Sequence, residues 1–152
     1  MKIIVFSDSH RDIAAMNRII ETENPDLIFH LGDLERDCGK LNTSVRIIKV
    51  RGNCDHGSAE VTERFLDFGN VKILMTHGHE YGVKSGIARL EASGREQGAD
   101  IVLYGHTHKA YLHKTDDLIT MNPGIPGKSY GVILLAGNEL ADVYLEEAPG
   151  MF

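Results

Sequence analysis

Five short polar clusters carry residue types that bind cations: Asp8-Ser9-His10, Gly32-Asp33, Gly52-Asn53, His77 and His106-Thr107-His108. Two carboxylates, one amide and four imidazoles form a hard-to-borderline donor set suited to manganese, iron, zinc or similar divalent ions, with no thiolate required. Seven donors are too many for one ion, and a carboxylate can bridge two. Asp33 is the candidate bridge, because the glycine before it lets the backbone come close; Asp8 and His10 then serve one ion. Residues two apart on an extended segment point the same way, so Asp8-x-His10 and His106-x-His108 can each deliver two donors together.

Donors spread from residue 8 to residue 108 need elements that gather them. Each cluster directly follows a short, β-branched-rich apolar run: residues 2–6, 26–29, 45–50, 71–76 and 100–104. These runs read as buried strands. In an open α/β sheet such strand ends share one crevice, so the donors are expected to converge there. Ile13, Met16 and Ile20 recur at helical spacing and stop at Asn24-Pro25, which predicts a crossover helix between the first two strands. A second helix is expected within 83–98, with Ile87 and Leu90 on its apolar face and Gly86 and Gly94 weakening it. Gly69-Asn70 reads as a two-residue hairpin turn, the runs at 110–114, 118–121, 130–136 and 140–145 as further antiparallel strands, and 146–152 as a loose tail.

The bulk properties narrow the function classes. A chain of 152 residues is expected to form one domain, 1–152. With 16 Lys+Arg against 22 Asp+Glu and a net charge of −6, it has no dense basic patch to attract nucleic acid. Its two cysteines, Cys38 and Cys54, make no C-x-x-C pair, and the run "IIVF" is too short for a signal core or membrane span. A cytoplasmic location and no membrane contact are therefore expected. No heptad or apolar stripe decides an oligomeric state.

Taken singly, each cluster has an ordinary explanation. Asp8-Ser9-His10 suits a helix cap, Gly32-Asp33 and Gly52-Asn53 suit turns, and the histidines suit a satisfied or surface role. Only their joint placement at five strand ends is specific.

The order D-x-H, G-D, G-N, H and G-H-x-H resembles the calcineurin-like metallophosphoesterase superfamily over most of the chain. The wordings "FSDSHRD", "HLGD", "RGNCD", "THGH", "YGHTH" and "NPG" are most similar to its small bacterial and archaeal phosphodiesterase branch, which also includes the retromer sorting subunit. The resemblance implies two packed mixed β-sheets flanked by helices, a four-layer α/β/β/α sandwich. It assigns Asp8, His10 and His108 to one divalent ion, Asn53, His77 and His106 to a second, and Asp33 to both. Manganese is the foremost candidate, with nickel, zinc, iron or magnesium as alternates. The implied activity is hydrolysis of a small phosphodiester by a hydroxide bridging the two ions, with a phosphomonoesterase or a non-catalytic protein-binding scaffold as the alternatives. Two divalent ions less Asp8, Asp33 and that hydroxide leave about one net positive charge for a phosphoryl oxygen. Family members often form small homo-oligomers.

Two departures from the family pattern and several neighbouring residues matter. The superfamily turn usually reads G-N-H-E or G-N-H-D, and its histidine helps protonate the leaving oxygen. Cys54 stands in that place, reads as a small buried packing residue, and predicts faster cleavage of activated aryl esters than of alkyl esters. His79 is a candidate for touching the phosphate or orienting a donor, and Asp55 for holding the turn. His30 reads as a supporting or packing residue, His56 and His113 as surface residues. Ile125 stands where the N-P-G loop often has a serine.

Overall fold

The computed structural model describes residues 1–149. In chain order the elements are β1 (Lys2–Phe6), α1 (Ile13–Glu23), β2 (Leu27–His30), β3 (Ile47–Lys49), β4 (Glu63–Asp67), β5 (Lys72–Thr76), α2 (Ala88–Gln97), β6 (Ile101–Leu103), β7 (Tyr111–Lys114), β8 (Ile119–Asn122), β9 (Ser129–Ala136) and β10 (Glu139–Glu147). Short 3₁₀ turns occupy Glu35–Lys40, His79–Tyr81 and Val83–Ser85. The strands form two five-stranded mixed sheets, ordered β10-β9-β1-β2-β3 and β4-β5-β6-β8-β7.

Side-chain alternation along the strands builds the layers. Ile3 and Val5 of β1 point between the sheets with Phe29, Ile73, Met75, Ile101, Leu103, Met121 and Ile133. Ile4 and Phe6, one residue out of phase, point the other way and pack on Met16, Ile19 and Ile20 of α1. On the second sheet, Leu74 and Val102 likewise face outward onto Leu90 of α2. The result is the four-layer α/β/β/α sandwich, with the parallel trios β1-β2-β3 and β5-β6-β8 sending their C-terminal ends to one edge.

Strand and helix expectations hold at these positions, with three corrections. The run at 118–121 pairs antiparallel with β7 but parallel with β6, because it fills the slot beside β6 after the excursion through β7. Helix α2, Ala88–Gln97, falls within the expected 83–98, while Gly82 and Gly86, both at positive φ, confine residues 83–85 to a 3₁₀ turn. The Glu35–Lys40 turn has no apolar periodicity and was not expected from the sequence. The tail begins later than expected: Glu146 and Glu147 still pair with β9, and the Ala148 amide donates to Lys128 O at 2.9 Å. Residues 150–152 of that expected tail lie outside the described residues. Gly69-Asn70 does form the hairpin turn, closed by the Phe68 amide on Val71 O at 2.9 Å.

Phe29 is fully buried between the sheets. Phe29→Ala is expected to cost about 3–5 kcal/mol of stability, read as a lower urea midpoint with unchanged slope.

Candidate metal centre

The five polar clusters meet at the shared edge of the two sheets. Asp8 follows β1 and is 1% exposed. Its amide donates to Gly32 O at 2.9 Å, and its Oδ2 accepts from Ser7 Oγ at 2.8 Å and from the His106 amide at 3.0 Å. Its Oδ1 is buried without a hydrogen-bond partner among the described residues, and lies 3.4 Å from His108 Nε2 and 3.8 Å from His77 Nε2. Burial raises the Asp8 pKa, against the pull of His77. A buried carboxylate oxygen left bare but ringed by imidazole nitrogens is an arrangement that a cation satisfies.

Asp33 follows β2. Its Oδ1 accepts from the Cys54 amide at 3.0 Å, and its Oδ2 lies 3.4 Å from His77 Nε2. Burial works to raise its pKa, but His77 and the Cys54 amide outweigh that and hold it well below the carboxylate range. Backbone approaches here are close enough to require glycine. A Cβ at Gly52 would stand 2.3 Å from Asp33 Oδ1, and one at Gly105 would stand 1.9 Å from Ser7 Oγ.

The His77 tautomer follows from its neighbours. Its Nδ1 is 2.9 Å from Leu31 O, which only accepts, so Nδ1 carries a proton and Nε2 faces the site, with its lone pair free whenever the ring is neutral. That Nε2 is 3.2 Å from His106 Nδ1, a spacing that two lone pairs tolerate only with a proton or cation between them. Burial presses the His77 pKa down, but Asp33 and Asp8 reverse this and leave it above the ordinary histidine value. His106 is pushed down to about 4 by burial, His77 and Lys84, and is neutral at pH 7.

The donors fall into two overlapping groups, Asp8, His10, Asp33 and His108 in one and Asp33, His77 and His106 in the other. Within each, one donor atom from every residue lies within 4.8 Å of the rest, and Asp33 belongs to both. The bare Asp8 oxygen and the tautomer of His77 both fit a divalent cation. Asn53 sits exposed on the turn between Gly52 and Cys54, whose backbones both approach Asp33 Oδ1.

Convergence is not achieved by extended pairs, as expected from the spacing. Asp8, His10, Asp33, His106 and His108 all have left-handed backbones, with φ between 41° and 71°. Asp and His tolerate this region better than most side chains, and its cost persists only where surrounding contacts enforce it. The enforcing contacts are specific. Asp55 accepts three buried amides, from Asp33 at 2.9 Å, Gly52 at 2.6 Å and Glu35 at 2.9 Å, which clamps the turn after β3 onto the turn after β2. Buried His30 accepts the Gly32 amide on Nδ1 at 3.1 Å, so its Nε2–H donates to Ser9 Oγ at 2.9 Å, which donates to Asp37 Oδ2 at 2.8 Å. Asp37 also takes the Arg11 amide at 2.6 Å. Asn122 of the N-P-G loop donates to Gly105 O at 3.2 Å and Thr107 Oγ1 at 2.9 Å, holding the His106–His108 turn.

Asp55 thus holds the turn, and His30 supports it, as read from the sequence. Ser7, Ser9 and Asp37 escaped that reading; Asp37 looks like an ordinary loop acid and meets Ser9 across 28 residues. Cys54 corrects another expectation. It is exposed, not a packed core residue, because it sits on a short surface turn whose amide is tied to Asp33. Desolvation and neighbouring Asp33 raise its thiol pKa, so it stays protonated at neutral pH. His79 is half-buried at the rim, its ring 5.4 Å from that of His77 and 6.2 Å from that of His106, and its buried Nδ1 has no partner among the described residues. His56 and His113 are exposed.

The model of the calcineurin-like phosphoesterase superfamily domain matches residues 1–134. A probable metallophosphoesterase of Bacillus subtilis is 30% identical, over 94% of this chain and 96% of its own length. A phosphodiesterase of Methanocaldococcus jannaschii is 29% identical over 82% of this chain and 83% of its own. Among solved structures, Vps29 of Entamoeba histolytica in complex with zinc shares the fold at a TM-score of 0.75 and 22% identity, covering 97% of this chain and 98% of that one. No helix among the described residues is long and apolar enough to cross a membrane.

Two outcomes follow from the supporting residues. Asp55→Ala leaves three buried amides without an acceptor and is expected to cost at least about 3 kcal/mol in urea unfolding and to weaken manganese binding about ten- to a hundredfold by titration. Burial lowers the His30 pKa from 6.5 to about 4, so the unfolded chain binds its proton first and stability is lost as pH falls through that window. His30→Gln, which gains no proton, is expected to flatten the dependence of unfolding free energy on pH between 6.5 and 4 in metal-free protein.

Proposed function

The chain belongs to the calcineurin-like phosphoesterase superfamily, and on that premise we propose that it is a metal-dependent phosphodiesterase acting on a small diester at two divalent ions that share Asp33. The overlap of the two donor groups at Asp33 carries this reading. Asn53 is proposed to join the group of His77 and His106, and manganese is the first candidate metal.

Bound there, the ions supply Lewis acidity to the phosphoryl group and lower the pKa of water. The chain's own groups do the rest. Asp8 and Asp33 offset part of the positive charge and leave a surplus to attract a phosphate ester, despite the acidic net charge. The Leu31 carbonyl keeps the His77 ring turned so that Nε2 faces the crevice. His79, its pKa lowered by burial and His77, is neutral at the rim and positioned to donate a hydrogen bond to a phosphoryl oxygen. The Cys54 thiol occupies the turn position that holds a histidine in much of the superfamily, and it is a weak donor. Departure of the leaving group therefore depends on that group's own acidity.

The test uses metal-stripped protein with manganese, nickel, zinc or magnesium added back, and chromogenic aryl diesters and monoesters as substrates. Diester cleavage is expected to require metal, to exceed monoester cleavage, to slow as the leaving-group pKa rises, and to fall roughly a hundredfold or more in Asp33→Asn. No turnover with any metal in protein that binds metal would overturn the catalytic reading and leave the scaffold alternative.

A further inference from the structure

On the side of the His106–His108 turn lies an open cleft of about 530 Å³, lined by Lys84, Tyr104, Thr107, Lys109, Ala110 and Tyr111. Thr107 joins the cleft to the donor groups, since it stands between His106 and His108 in the chain. Its position is fixed: its hydroxyl accepts from Asn122 Nδ2 at 2.9 Å and from the Lys109 amide at 3.3 Å. Lys84 lies near enough for its charge to be felt at His106.

The charge of the cleft runs against that of the chain. Lys84 and Lys109 form no salt bridge among the described residues, as Lys40 and Lys128 elsewhere also form none, whereas Lys2, Lys49, Lys72 and Lys114 each pair with a carboxylate. No acidic residue lines the cleft. The smaller cleft on the Cys54 side, about 270 Å³, sets Glu35 and Asp55 against Arg36 and His56 and offers an anion no such surplus. Tyr111, 39% exposed, offers an aromatic face, while Tyr104 is buried in the cleft wall. A volume in the range of small-molecule sites, two free ammonium groups and an accessible phenol ring together suit a ring-bearing arm that ends in an anion.

We propose that this cleft binds one arm of the diester, and that the arm carries a planar ring and a second phosphate beyond the scissile one, as in a phosphorylated nucleoside. The proposal rests on the phosphodiesterase reading of the neighbouring centre. Lys84 and Lys109 are then specificity residues, which grip the distal phosphate and take no part in bond cleavage.

Two substrates isolate the distal charge: the p-nitrophenyl ester of thymidine monophosphate, and the same ester with a second phosphate on the sugar. In wild-type protein loaded with manganese, the bisphosphate is expected to show the lower KM. In the double variant Lys84→Met and Lys109→Met its KM is expected to rise about tenfold or more, the order of one lost charge-assisted hydrogen bond, with the KM of the singly phosphorylated ester within about twofold. Equal KM values for the two esters in wild type, or equal losses for both in the variant, would overturn the proposal. Calorimetry with thymidine bisphosphate and thymidine monophosphate reads the cleft without turnover. If neither ester is cleaved, the catalytic reading fails, while tighter binding of the bisphosphate that disappears in the double variant still supports the cleft; indifference of binding to both the second phosphate and the lysines overturns it.

Discussion

Two carboxylates, Asp8 and Asp33, are buried at adjoining strand ends, and the loss of water around their charges is the constraint that the surrounding structure answers. Isolated charges in a low-dielectric crevice are strongly unfavourable, so each must be met by donors or by positive charge. Amides of Cys54 and His106, the Ser7 hydroxyl and the His77 ring meet most of the oxygens. One oxygen, Asp8 Oδ1, is left facing imidazoles alone. The site is thus compensated except in the one direction from which a cation approaches, and that exception links the fold to its chemistry.

Holding those donors in place requires backbone conformations that the chain would otherwise avoid. Left-handed geometry costs a non-glycine residue roughly 1–2 kcal/mol, and five of the seven candidate donors adopt it. The Asp55 clamp, the His30-Ser9-Asp37 relay and the Asn122 brace each tie a loop of one cluster to another part of the chain. They work together: removing one relaxes a turn whose neighbour leans on it. Rigid sheets supply the frame, and these side chains supply the last ångström of placement.

Much of this was legible in the chain. Apolar runs ending in Asp, Asn or His show both the strands and where their ends gather, since burial imposes the runs and the crevice imposes the polar residues. Helix α1 was legible from Ile13, Met16 and Ile20, all of which pack on β1's outward face. What was not legible is what no local pattern encodes. Asp37 and Asn122 act across 28 and 15 residues respectively, and neither composition nor spacing marks the partner. The left-handed turns were missed for a related reason: Asp-x-His has no glycine to announce them, and tertiary contacts override the extended default. Cys54 was misjudged because an apolar-type side chain next to a ligand turn says nothing of which way that turn faces.

The hydrogen bond from the His106 amide to Asp8 joins the two sheets across 98 residues of sequence. A chain leaving the ribosome can complete β1, α1, β2 and β3, with Asp8 and Asp33 in place, long before residues 106–108 exist. Closing so long a loop is entropically costly and waits on docking of the second sheet, which makes the centre a late event in folding. Half-made chains therefore present the carboxylates with His10 but without His77, His106 and His108, and the ability to hold a cation with the full donor set appears only when the fold is finished. Metal loading in such an architecture doubles as a readout of completed assembly.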